Sequence, residues 1–259
     1  MRLFLLTLLL ALPISGEEGQ HLSGAGRNES LDKLTFSSTQ KWDRNLLKYT
    51  QQPPLLLPKN WLQLIALPHP PANSSERTRE ELRVLKSLAP KRAKSNAQIQ
   101  AEVLLTNFPF DKHTYTSLTE STKRPATAKL VKATFEDTAI ATFVFKKQFN
   151  RVRPSLLAEK LKAPIGTALP NPEHPAYPSG HAATAWSISY LLQELDPANA
   201  ENYRKSAASI AHHREIAGLH YPSDSEAGRL LARQLLDLLL ANPHFQRQLT
   251  EAKKEWSNG

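Results

Sequence analysis

Proline decides where this chain can be helical. The 259 residues include 19 prolines, and each one removes a backbone donor that a helix interior needs. Pro53, Pro54, Pro58, Pro68, Pro70 and Pro71 crowd one stretch. They break the apolar pieces Leu55-Leu56-Leu57 and Trp61-Leu62-Gln63-Leu64-Ile65 into extended segments and short turns. Between the later prolines, apolar residues recur at helical spacing. Glu76 to Leu88 carries Leu82, Leu85 and Leu88 and stops at Pro90. A second helix is predicted from about Ser95, where Ser95 and Gln98 stand in capping-box spacing ahead of Ile99, Val103 and Leu104. Pro125 suits the first turn of a helix running to about Phe149, short of Pro154. Leu157 to Tyr177 reads as a long loop of the kind that carries function. Helices then open at Ser179-Gly180-His181, at about Ala200 with Gly218 as the stop, near Asp224, and at Asn242-Pro243. Strand signals are nearly absent. The expectation is an all-α protein, a single helical-bundle domain with a proline-rich N-terminal segment.

The first residues have a different character. Met1-Arg2, the apolar run Leu3 to Leu12 and the small residues before Glu17 and Glu18 read as a secretory signal peptide over residues 1–16, with an uncleaved anchor as the alternative. Residues 17–50 read as a poorly ordered leader, and 51–259 as the helical domain. A periplasmic or secreted location follows. No later apolar run approaches the length of a membrane span, so no integral membrane span is expected. The chain has no cysteine, which excludes disulfides, thiolate metal sites and a cysteine nucleophile. A formal charge of +9 suits an anionic ligand and equally a solvated surface. Lys86, Lys91, Arg92 and Lys94 form a basic corner without interleaved aromatics; it reads as solvated, and no nucleic-acid partner is expected. Asn28-Glu29-Ser30 and Asn73-Ser74-Ser75 match the glycosylation sequon, a short pattern whose meaning depends on the host.

Three clusters carry chemistry. In Tyr177-Pro178-Ser179-Gly180-His181, a small polar residue and a glycine open a helix, which leaves unpaired amides and the positive dipole end for an anion. Taken alone, it reads more readily as a capped helix with a surface histidine, so the case rests on what flanks it. Upstream, Lys146 and Arg153 are separated by six residues, with Arg153 pinned by Pro154. Downstream, Arg214, His220 and Asp224 share one run; His220 and Asp224 are four apart, close enough for the carboxylate to hold an imidazole tautomer. Cations, helix-start donors and two histidines, one backed by a carboxylate, make up the inventory for phosphoryl transfer without a metal. His174, His212 and His213 read as outer or surface groups, and Tyr177 and Trp186 as core packing.

The order Lys-x6-Arg-Pro, Pro-Ser-Gly-His, Arg-x5-His-x3-Asp resembles the type 2 phosphatidic acid phosphatase and vanadium haloperoxidase superfamily. Within it the chain is most similar to soluble bacterial class A non-specific acid phosphatases. The resemblance covers about Lys146 to Arg229. Two positions depart from it: His213 stands where serine is usual, and Ala182 where class A enzymes have threonine. The resemblance implies that 51–259 is a phosphatase domain acting on a small phosphomonoester. It implies His220 as nucleophile, Asp224 as the group that orients it and His181 as general acid and base. Lys146, Arg153, Ser179, Gly180 and Arg214 would bind the phosphate. No metal or cofactor is implied, unless the chain is a haloperoxidase holding vanadate in the same site. A non-catalytic polyanion binder would need the cations but neither histidine.

Overall fold

The computed structural model describes residues 28–105 and 124–257. Residues 1–27, which include the signal-like segment, and residues 106–123 lie outside the described residues. Among the described residues every regular element is helical. Three single-turn helices, α1 (Glu29–Asp32), α2 (Arg44–Leu47) and α3 (Trp61–Leu64), precede the body. The body comprises α4 (Glu76–Leu88), α5 (Arg92–Leu105), α6 (Pro125–Phe149), α7 (Pro154–Lys160), α8 (Gly180–Leu195), α9 (Ala200–Ile216), α10 (Pro222–Leu240) and α11 (Pro243–Ser257). No helix among the described residues is long and apolar enough to cross a membrane.

Helix α8 is the axis of the bundle and packs on α6, α9 and α10. Ala182, Ala183, Ala185, Ile188, Leu191 and Leu192 are all fully buried on it, so it is covered on several faces, as an apolar helix without a polar side must be. Its small first-turn residues let α10 approach closely. A Cβ on Gly228 of α10 would stand 2.7 Å from the Ser179 carbonyl oxygen and 2.8 Å from the Ala183 nitrogen. The Ser179 amide also donates to the Asp224 carbonyl at 2.9 Å. The starts of α8 and α10 are thereby fixed together, and both carry expected site residues.

The long α6 begins at Pro125 and ends where Asn150 turns left-handed at φ 48. Two carboxylates tie distant segments to it. Glu255 of α11 accepts the Ala126 and Thr127 amides at 2.7 and 2.9 Å. Asp137, buried on α6, accepts the amides of Leu55, Leu56 and Leu57 at 2.5, 2.8 and 3.0 Å. The proline-rich stretch, unable to pair within a helix, finds its partners there.

Four expectations need correction. Residues 28–50, taken from composition as part of a poorly ordered leader, form short helical turns against the body. Phe36 is fully buried and its amide donates to the Asn150 carbonyl at 2.8 Å, while the Asp43 amide reaches the Glu173 carbonyl at 2.9 Å. The second helix starts at Arg92, not Ser95, because the 3-10 turn Ala89–Lys91 feeds directly into it. Leu157 to Lys160 belong to α7, where Pro154 occupies the first turn and Leu157 and Ala158 pack against Leu82 and Leu85. Arg92 is no solvated corner: its guanidinium donates to the Ile216 carbonyl at 2.7 Å and the Ile165 carbonyl at 2.6 Å, closing the end of α9. Asn73 is buried too, donating to the Leu31 and Leu34 carbonyls, both at 2.8 Å, so its sequon points inward.

Gly228→Ala should push α8 off α10. Overpacking of this kind costs about 1–3 kcal/mol, and thermal denaturation should show a clear loss; an unchanged melting temperature would mean that the crossing is looser than described.

Candidate active site

Five helix ends supply the site. Lys146 comes from the last turn of α6, Arg153 caps α7, Ser179 caps α8, and Arg214 ends α9. His220 and Asp224 flank the start of α10. Lys146, Arg153, Ser179, Arg214 and Asp224 are fully buried and His220 nearly so. Lys146, Gly180, His181, Arg214 and His220 line one cavity of about 290 Å³. All eight residues expected from the three clusters therefore gather around one place, and what remains is how each is held.

The His220 ring is fixed from both sides. Its Nε2 lies 3.1 Å from Nη1 of Arg153 and its Nδ1 lies 3.2 Å from Oδ2 of Asp224. A guanidinium can only donate, so Nε2 accepts and the ring proton resides on Nδ1, donating to Asp224. Asp224 also accepts the Tyr221 amide at 2.9 Å and Nη1 of Arg151 at 2.6 Å. Arg153 donates further to the Leu219 and His174 carbonyls, each at 2.9 Å, and to Nδ1 of His174 at 2.9 Å. Lys146 donates to the Pro175 and Ala176 carbonyls at 2.7 and 3.2 Å, against the strand of chain leading into Ser179.

Helix α8 meets the cavity with its amino-terminal turn. The Ser179 side chain accepts the Ala182 amide at 3.4 Å, and the Gly180 and His181 amides precede the helix's own ladder. Nε2 of His181 is buried and has no hydrogen-bond partner among the described residues. A buried nitrogen left unpaired is costly, so this one marks a place that a ligand atom would satisfy.

Electrostatics follow from burial. Desolvation, aided by Arg153, Lys146 and Arg214, pushes the His220 imidazole well below its ordinary value. Burial and then Arg214 do the same to His181, and burial with Lys146 and Arg153 to His174. Burial pulls Arg153 down to about 10 and Lys146 well below a free lysine. The site is thus rich in cationic groups and holds its histidines neutral. Among the described residues no group of three or more histidines and carboxylates could hold a metal ion.

Several residues here escaped sequence reasoning. Arg151 donates to Asp224, to Ser223 Oγ at 2.7 Å and to Glu81 at 3.2 Å, and its guanidinium lies 3.8 Å from the Tyr221 ring centre. Glu81 in turn accepts the Ser223 amide and hydroxyl at 2.7 and 2.9 Å. The available signal was an acid at position 81, in helical phase with Leu85 and Leu88 on the buried stripe of α4. His174, read as an outer group, lines the cavity and touches Arg153 directly. His212 is exposed beside Glu215, and Tyr177 and Trp186 pack as expected.

Several helix ends of one bundle thus converge on a buried cavity lined by cationic groups and histidines. Residues 130–246 match the model of the PAP2 superfamily. A non-specific acid phosphatase of Providencia stuartii is 31% identical over 134 residues, covering 51% of this chain and 54% of that protein. An acid phosphatase of Zymomonas mobilis is 30% identical over 116 residues, covering 42% of each. The chain spans about half the length of the curated relatives it matches. Among solved structures, a bacterial vanadium-dependent iodoperoxidase superposes with a TM-score of 0.60 at 17% identity, over 82% of this chain and 62% of that one. A bacterial vanadium-dependent chloroperoxidase gives 0.54 at 13% identity, over 81% and 56%. At such identities the likeness is one of fold alone.

The depressed histidines make a stability prediction. Unfolded histidines titrate near ~6.5, whereas His181, His220 and His174 stay neutral to lower pH when folded. The unfolded chain therefore binds more protons below that value, and stability present above it is lost as pH falls. The melting temperature should drop between about pH 7 and 5, and saturating inorganic phosphate should shrink the drop by offsetting the cations. An acid-insensitive melting temperature would contradict the assignment.

Proposed function

We propose that this protein hydrolyses phosphomonoesters through a phosphohistidine, without a metal. The observation that carries the reading is the pairing of two neutral histidines on one cavity. His220 is oriented by Asp224 with its Nε2 lone pair directed at Arg153, and the buried Nε2 of His181 has no partner. In the first step His220 Nε2 bonds to phosphorus as the ester P–O bond breaks, and His181, protonated as the bound phosphate offsets the surrounding cations, gives its proton to the leaving oxygen. In the second, His181 takes a proton from water as the water oxygen bonds to phosphorus and the P–N bond breaks. Asp224 stabilises the charge that appears on the His220 ring. Lys146, Arg153 and Arg214, with the amides at Gly180 and His181 and the Ser179 cap, hold the non-bridging oxygens, whose charge would otherwise repel the attack. Cations at this position do the charge work that a divalent ion does elsewhere.

The identity with named acid phosphatases, 31% against 17% for the iodoperoxidase, favours hydrolysis. The same cradle has the donors to hold vanadate, which when bound supplies peroxide activation for halide oxidation; a halide-oxidation assay with added vanadate separates that reading. A periplasmic or secreted location is part of the proposal and rests on the apolar segment near Met1.

Acid-quench trapping with a labelled activated aryl phosphate, in the presence of chelator, tests the roles. His181→Ala should accumulate phosphoenzyme, because an activated phenolate leaves without a proton while water lacks its base. His220→Ala should trap none and turn over none. Label retained in His220→Ala, or loss of all label in chelator, would overturn the mechanism.

A further inference from the structure

The cavity has two chemically different ends. Lys146, Arg214, His181 and His220 form one, and Leu46, Tyr49, Phe135, Ala139 and Phe143 form the other. On α6 the change follows the helical repeat: Phe135, Ala139, Thr142 with Phe143, and Lys146 fall on one face. At ~1.5 Å per residue, that stripe runs roughly 16 Å from ring to ammonium. A cavity of about 290 Å³ lies at the small end for ligand sites, room for a phosphate and one compact group.

The apolar end is continuous with the phosphate cradle. Tyr49 stacks on Phe143 with centroids 5.3 Å apart and planes 21° apart, and Phe143 meets the His174 ring edge-on at 5.4 Å. His174 accepts from Arg153, so this ring series ends on a group that would hold phosphate. Where the two ends meet, the buried Oγ1 of Thr142 has no hydrogen-bond partner among the described residues. Leu46 and Tyr49 come from α2 and the 3-10 turn Lys48–Gln51, outside the matched stretch 130–246.

We propose that Leu46, Tyr49, Phe135 and Phe143 form the leaving-group wall, and that the enzyme favours phosphomonoesters of alcohols carrying an apolar ring over those of polyhydroxylated alcohols. The proposal rests on the phosphatase reading above and names its substrate class. A ring is desolvated against this wall at a gain and finds edge or face contacts with Tyr49 and Phe143. A polyol surrenders water there to a wall that is mostly hydrocarbon, where the hydroxyls of Tyr49 and Thr142 are too few to pair with all of its own.

Benzyl phosphate and glycerol 3-phosphate both release a primary alcohol, so the demand for a proton is alike and the ratio of their kcat/KM values reports the wall. Wild type should favour benzyl phosphate by about tenfold or more, the discrimination that modest apolar contact supplies. Tyr49→Ala and Phe135→Ala, on separate elements, should each lower that ratio about fivefold or more, mainly through the KM for benzyl phosphate. The ratio does not depend on how much of a preparation is folded. Equal kcat/KM for the two esters in wild type, or a ratio unmoved by both variants, would overturn the wall and leave the phosphatase reading standing. Failure to hydrolyse either ester would overturn both.

Discussion

The buried Asp224 carboxylate is the contact on which the site depends. It accepts from Arg151, the Tyr221 amide and His220, while its own carbonyl receives the Ser179 amide. A carboxylate this deep is tolerated only with partners, and removing one partner from a buried pair costs about 3–5 kcal/mol. Arg151 is as deeply buried and is tolerated because Glu81 takes its other side. A chain of alternating charge thus runs from α4 through the α6–α7 junction to α10, and its last link decides which nitrogen of His220 carries the proton. Structure and chemistry meet at that link.

Around it the protein has concentrated cationic groups where water is excluded. Lys146, Arg153 and Arg214 are each fully buried, and the surrounding carbonyls of Pro175, Ala176, His174 and Leu219 offset only part of the cost. In the proposed function an anion with several oxygens completes such a site, because it satisfies donors and local field together. Burial, and after it the field of these cations, holds the histidines neutral, which leaves His220 with a lone pair to offer.

Legibility in the sequence divides along contact range. The helix starts at Pro125, Ser179 and Pro243 were readable because caps and prolines act within a few residues. The eight clustered residues were readable because their spacing within short runs is itself the signal. Glu81 and Tyr49 were not: each meets the site from far along the chain, and nothing local to α4 or the Lys48–Gln51 turn declares a partner. Composition misjudged residues 28–50 for the same reason, since one buried ring, Phe36, and two backbone hydrogen bonds outweigh a polar average. Arg92 looked solvated because a sequence does not display the carbonyls at the end of a helix that arrives some 120 residues later.

The central claim is that Asp224 and Arg153 together set the His220 ring as a neutral Nδ1–H tautomer with a bare Nε2. Nitrogen-15 NMR of the ligand-free protein near neutral pH, with the resonances assigned through His220→Ala, reads this directly. The account expects a protonated Nδ1 and an unprotonated Nε2 for His220. A proton on Nε2, or an imidazolium, would contradict it.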